Sequence, residues 1–245
     1  MTPGQLTVVL LASAAGAFVK GVTGLGYPVL AVPLIALVCG IEDAVVVVAL
    51  PNLAANVVLC WEAREHRGGA RDLDRLVGLG IVGAVLGTIL LVRLPEAPLR
   101  IALAAAITFF VVQFLRRPEL RMDPLTARRW SPLAGAVAGL MQGAVGVSGP
   151  VVATWMHGYR LHRDAYVFAI TTIFGVTGAV QIAVLGAQRG FTSDRLVGSA
   201  VAGLAVAAAI PLGLRLRRRL AGRAFERAVL AVLVVSAVSL VLEAL

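Results

Sequence analysis

Apolar runs long enough to cross a lipid bilayer recur along this 245-residue chain, separated by clusters of charge. They are Ala44 to Trp61, Leu76 to Leu94, Leu99 to Leu115, Ala165 to Gly186, Leu196 to Leu214 and Ala228 to Leu245. Their few charges, Arg93, Arg100 and Glu243, lie near an end. Roughly 20 apolar residues are needed for a helix to span the hydrocarbon core. With 59% hydrophobic and 14% charged residues, the chain has more apolar surface than one water-soluble core can hide; a soluble domain carries about 25% charged residues. The stretch Leu6 to Val19 has neither the basic start nor the small-residue cleavage site of a secretory signal, and is expected to be mature structure.

The formal net charge of +9 does not indicate nucleic-acid binding, because the arginines sit in short loops between apolar runs. Loop arginines of this kind orient membrane proteins. The partners expected are therefore the lipid bilayer and a small solute, with no nucleic acid. Cys39 and Cys60 flank the first clear span, too far apart for a disulfide and without metal-ligand spacing.

A duplication organises the chain. Lys20-Gly-Val-Thr-Gly-Leu-Gly-Tyr-Pro28 returns as Gln142-Gly-Ala-Val-Gly-Val-Ser-Gly-Pro150, an offset of 122. The pentapeptide Asp-Arg-Leu-Val-Gly occurs at 74–78 and again at 194–198, and Leu99 to Leu103 resembles Glu226 to Leu230. The matches run in the same order, which gives a first repeat over 1–122 and a second over 123–245.

Two topologies follow. Leu6 to Val19 and Pro28 to Val38 are each short for a span, and the glycine-rich segment between them is a poor helix interior. The second copy has the same form over 132–157. The chain is either eight full spans in parallel halves, or two re-entrant hairpins (6–38 and 132–157) plus six spans in inverted halves. The spans would be 44–61, 76–94 and 99–115, then 165–186, 196–214 and 226–245. Eight spans would divide the loop arginines 11 against 10 between the two faces. The hairpins would divide them 17 against 4, leaving only Arg93, Arg100, Arg189 and Arg195 on the poorer face. The second division is what the positive-inside rule expects of a bacterial-type membrane protein, so the expected fold is an all-α polytopic membrane protein of two inverted repeats, with both termini facing outward.

Irregular backbone at membrane depth is tolerated only against protein or a watery cavity. The glycine breaks should therefore face inward, each followed by a helix that starts near Pro28 or Pro150. Helix N-termini at the midplane favour an anionic group. Lys20, the single lysine beside 21 arginines, adds a cation there. The expected substrate-binding residues are Lys20, Gly21, Thr23, Gly24 and Gly26 on the first tip, and Gln142, Gly143, Gly146, Ser148 and Gly149 on the second. Asn52 and Asn56, one turn apart beside Pro51, join them with Thr171. Thr172, Thr177 and Gln181 share the span of Thr171 and read as helix-to-helix hydrogen bonds.

His66, His157 and His162 read as interfacial surface residues, and Glu42, Asp43 and Asp164 as helix caps. No carboxylate lies at a span centre, and no carboxylate pair, His cluster or Ser/His arrangement suggests an enzyme, a metal site or a cofactor.

The stretch Phe18-Val-Lys-Gly-Val-Thr-Gly-Leu-Gly-Tyr-Pro-Val-Leu-Ala-Val-Pro33, repeated around Gln142 to Pro150, resembles the duplicated signature of the TauE/SafE sulfite exporter family. The likeness extends to size, duplication and basic loops. It implies a bacterial inner-membrane secondary transporter, with both termini periplasmic, that exports sulfite, a sulfonate or a related small organic acid with help from an ion gradient; a proton is the expected coupling ion. An uncoupled anion channel is the alternative the same tips allow.

Overall fold

The computed structural model describes residues 1–23, 26–116, 122–220 and 223–244. Among these the chain is helical, without strands. The helices are α1 (Pro3–Thr23), α2 (Tyr27–Cys39), α3 (Ile41–Glu62), α4 (Leu73–Arg93), α5 (Glu96–Arg116), α6 (Pro124–Val145), α7 (Gly149–Gly158), α8 (Arg163–Ala187), α9 (Ser193–Leu220) and α10 (Arg223–Leu242), with a 3₁₀ turn at Arg64–Gly69.

Several helices outrun their apolar runs. The first turns of α3, α4, α5, α8 and α9 hold Glu42 and Asp43, Asp74, Glu96, Asp164 and Asp194. Carboxylates there meet the positive end of the helix dipole, so the helix continues past the apolar stretch. Asp123 caps α6 by accepting from the amides of Leu125 and Thr126 at 3.1 and 3.2 Å. This cap moves the start of α6 from the expected residue 132 to residue 124.

The first hairpin arm also needs correcting. It is not a short helix over 6–19: α1 runs 21 residues, about 31 Å, and is long and apolar enough to cross a bilayer. The glycine-rich segments are helical over most of their first halves, because Gly21 and Gly143 lie inside α1 and α6. The helical cost of glycine is offset there by close packing. Gly21 meets the backbone of Ile210 and Gly213 on α9, and Gly143 meets Ala84 and Thr88 on α4. Small residues let helix backbones approach this closely within a membrane. Among the described residues the breaks shrink to Gly26, ahead of α2, and to Gly146–Ser148.

Beyond each break the chain doubles back. Tyr27 and Ala31 of α2 lie against Gly16 of α1, and Gly158 at the end of α7 returns to accept from the Met122 amide, just before α6. The returning helices are short, 13 residues in α2 and 10 in α7. The two long arms lie along helices from the other half of the chain, α1 on α9 and α6 on α4, while α3 packs on α8 at the centre and α5 on α10.

Contacts between loops define two ends. At the amino-terminal end the Met1 amine pairs with Asp194, Glu96 Oε1 caps α3 by accepting from the Ile41 amide at 3.1 Å, and Arg100 pairs with Glu243 at 2.6 Å. At the opposite, arginine-rich end the Tyr159 hydroxyl donates to Asp72 Oδ2 at 2.9 Å, and His66 lies 3.7 Å from Asp164. Arg64, Arg67, Arg71, Arg75, Arg128, Arg129, Arg160 and Arg163 belong to loops and helix starts at this end.

Polarity is reversed relative to a soluble domain. Leu79, Val82, Leu86 and Leu90 form an exposed apolar stripe on α4, and Val232, Val235, Val238 and Leu242 form another on α10. Inside lie Lys20, Asn52, Asn56, Gln142, Ser148, Thr171, Thr177 and Gln181. An apolar exterior around a polar interior matches a lipid environment, and among the described residues six helices have the length and composition to cross it: α1, α3, α4, α5, α8 and α9.

Candidate functional site

The polar interior surrounds one cavity of about 30 Å³, room for about two water molecules. Both chain breaks reach it. Gly26, with φ +117°, turns the chain into α2, and a side chain would be strained in that left-handed region. Gly146, with φ +70°, closes α6 by donating its amide to the Gln142 carbonyl at 3.0 Å. In α2 the first helical hydrogen bond runs from the Leu30 amide to Gly26, and in α7 from the Val152 amide to Ser148, each 3.1 Å. The amides of Tyr27, Val29, Gly149 and Val151 precede those bonds, and Pro28 and Pro150 have none. Gly26, Pro28 and Val29 line the cavity from α2, and Val147, Ser148 and Gly149 from α7. Two helix N-termini thus meet in one small space, each with the partial positive charge of its unpaired amides.

Lys20 projects into this space from the last turn of α1. Its side chain is buried, and its Nζ donates to Asn56 Oδ1 at 3.0 Å. No carboxylate pairs with it among the described residues. A lysine can only donate, so it fixes the oxygen of Asn56 toward itself. Asn56 Nδ2 is then a fully buried donor without a partner. An orphaned donor beside a buried cation suits an acceptor that carries negative charge.

Asn52, one turn earlier on α3, also lines the cavity. Pro51, just before Asn52, lacks an amide, which would orphan the Val47 carbonyl; Ser199 of α9 donates to that oxygen at 2.9 Å instead. The carbonyl that Pro51 frees is thereby satisfied while both asparagines face inward.

The second tip is held by a chain of amides. Ser148 Oγ donates to Gln142 Oε1 at 2.8 Å, and Gln142 Nε2 donates to Gln181 Oε1 at 3.1 Å. Gln181 Nε2 donates back to the carbonyls of Gln142 at 2.8 Å and Gly143 at 3.3 Å. Gln181, expected only to bridge helices, ties α8 to the end of α6, where helical carbonyls run out of partners. Thr171 lines the cavity and donates its hydroxyl to the Val167 carbonyl at 2.7 Å, leaving oxygen lone pairs free.

Of the expected residues, Lys20, Gly26, Asn52, Asn56, Gln142, Gly146, Ser148, Gly149 and Thr171 border the cavity. Gly21 and Gly143 do not: they are the contact points of the long arms with α9 and α4. Gly24 lies outside the described residues, as does the side chain of Thr23. Phe110 of α5, Phe174 and Ile170 of α8 complete the wall. Sequence reasoning missed them, because apolar residues on apolar spans carry no local mark of which face turns inward.

A family model described as sulfite exporter TauE/SafE matches residues 8–240. The chain belongs to the TauE/SafE family. No curated protein and no solved structure matches it. As a TauE/SafE member it is a multi-pass membrane transporter of the sulfite-exporter type, and the matched region contains both tips and the whole cavity.

Proposed function

We propose that this TauE/SafE protein is a secondary transporter that exports a small anion such as sulfite, a sulfonate or a related organic acid across the bacterial inner membrane. The observation that carries the reading is the convergence of the N-termini of α2 and α7 on the cavity that also holds the buried Lys20 ammonium. Two dipole ends and a fixed cation give a concentrated positive potential in a low-dielectric surround. The anion would accept hydrogen bonds from Lys20, Asn56 Nδ2 and the tip amides, with Asn52, Thr171 and Ser148 around it and Phe110 and Phe174 as apolar walls.

The halves are inverted repeats that alternate access to this site, and α1–α2 and α6–α7 are re-entrant hairpins, α1 ending at the cavity although it has the length of a span. Helix pairing supports this: exchanging α1 with α6 and α4 with α9 turns the α1–α9 contact into the α6–α4 contact, and α3–α8 and α5–α10 map onto themselves. The grouping of loops supports it as well. The eight-span alternative puts residues 157–163 opposite 62–75, whereas Tyr159 and Asp72 are hydrogen-bonded. The arginine-rich end is the cytoplasmic one, and both termini are periplasmic. A proton is the coupling ion.

Purified protein in liposomes, offered sulfite, sulfoacetate, thiosulfate and small carboxylates under an imposed proton gradient, tests the function. Saturable, gradient-dependent flux of at least one sulfur oxyanion is expected; flux of none rejects the reading. Impermeant thiol labelling of single cysteines tests orientation: positions 3 and 190 should react from outside, and position 68 should be protected.

A further inference from the structure

The repeated pentapeptide Asp-Arg-Leu-Val-Gly takes no part in the cavity, yet it puts one arginine at the same place in two helices. Arg75 lies in the first turn of α4, and Arg195 in the first turn of α9. They stand at opposite ends of the molecule.

At the amino-terminal end Arg195 reaches the start of α3. Its Nη1 donates to Glu42 Oε1 at 2.8 Å, and its Nη2 and Nε lie 2.6 and 2.7 Å from Asp43 Oδ1. Nη1 also donates to the Gly190 carbonyl at 2.8 Å. The Arg195 side chain is 16% exposed, so this is a partly desolvated, multidentate pair, the strong kind. It ties α3, which carries Asn52 and Asn56, to α9, on which the hairpin arm α1 rests.

The offset that relates the glycine motifs, 122 residues, carries Glu42 onto Asp164 in the first turn of α8. The counterpart of the Arg195 cluster is therefore Arg75 with Asp164. That pair is apart. Arg75 Nη1 donates to the Arg128 carbonyl at 3.4 Å and has no carboxylate partner among the described residues. Asp164 Oδ2 instead lies 3.7 Å from His66 and 3.9 Å from His162. An arginine and a carboxylate in corresponding places make the bond at one end and not at the other, and Asp43 has no acidic counterpart, its place being taken by Ala165.

We propose that Arg195 with Glu42 and Asp43 latches the amino-terminal end shut, and that Arg75 with Asp164 is the reciprocal latch, made when the arginine-rich end closes. Each latch ties a central helix, α3 or α8, to the helix of the other half that supports the hairpin arm of its own half. Exchanging one for the other opens the cavity to one end as it seals the other, with His66 and His162 holding Asp164 while Arg75 is away. The proposal rests on the alternating-access reading above.

A cysteine introduced by Ile170→Cys, on the cavity wall, reports access when Cys39 and Cys60 are replaced by serine. Labelling by an impermeant maleimide is compared between right-side-out and inside-out vesicles. Arg195→Gln should raise labelling from the amino-terminal end by about fivefold, and Arg75→Gln should lower it. Combining Arg75→Asp with Asp164→Arg should restore the parent ratio, which also guards against a variant that simply folds badly. Two unchanged ratios, or shifts in the same direction, overturn the latches. If sulfoacetate still shifts the parent ratio in that case, alternating access survives without them. Labelling from one end only, in every variant and with or without sulfoacetate, overturns both.

Discussion

The Lys20 ammonium donates to Asn56 Oδ1 at 3.0 Å, which leaves Asn56 Nδ2 unpaired in the same buried wall. The pair joins the end of α1 to the middle of α3 and makes both side chains donors toward the cavity. Asn56→Asp converts this arrangement into a buried ion pair. The prediction is a loss of anion flux of at least about tenfold, through neutralised charge at the site, with the unfolding temperature in detergent maintained or raised. Flux assays on liposomes and a thermal melt of the same preparation check both halves of the prediction.

Gln181 holds the second tip through two carbonyls and the Gln142 side chain. Gln181→Leu should cost about 1–3 kcal/mol of stability, the penalty for orphaned buried polar groups. It should also raise the apparent KM more than it lowers the maximal rate, because the tip amides lose their fixed position. Ser148→Ala, which removes one hydrogen bond to Gln142, should show the same pattern more weakly. Concentration-dependent uptake separates the two parameters.

Much of this was legible in the sequence. Arginine spacing and apolar runs marked the helices and their loops, and the glycine motif pointed to the two breaks. What stayed hidden depends on contacts between distant segments. Gly21 and Gly143 look like tip residues by composition, but α9 and α4 pack against them and keep them helical. The helix starts at Pro3 and Pro124 lie outside the apolar runs and depend on terminal capping and polar turns. The inward faces of Phe110 and Phe174 follow from how α5 and α8 meet the tips, for which no local periodicity exists. The charge cluster at Arg195 lies more than 150 residues from its partners, so Glu42 and Asp43 could be read only as caps.

The α4–α6 seam depends on glycine. A side chain at Gly139 would meet the Gly80 carbonyl and the Ala84 amide, both backbone and unable to yield. Gly139→Ala should destabilise the protein by about 1–3 kcal/mol, seen as a lower melting temperature and less monodisperse material on gel filtration. Gly78→Ala, at a glycine of α4 with nothing near it, is the matched control and should be close to neutral.

Tyr159 fastens the end of α7 to the loop before α4 through Asp72. Burial, foremost, pushes its phenol up to about 12 from the ordinary 10. The proton is held more tightly in the folded protein, so its contribution to stability is complete below about pH 10 and is lost as pH rises toward 12. Melting curves between pH 8 and 12 should show this loss in the parent and a weaker one in Tyr159→Phe, which starts from lower stability.

In the proposed transporter one buried cation between two helix N-termini binds the transported anion. Uptake into liposomes by Lys20→Met, compared with the parent and with Lys20→Arg, tests it most directly. Lys20→Met should insert and melt as the parent does yet carry less than about a tenth of its sulfur-oxyanion flux, while Lys20→Arg, keeping the charge, should retain part of it. Parent-level flux in Lys20→Met would mean that the anion binds without the Lys20 ammonium.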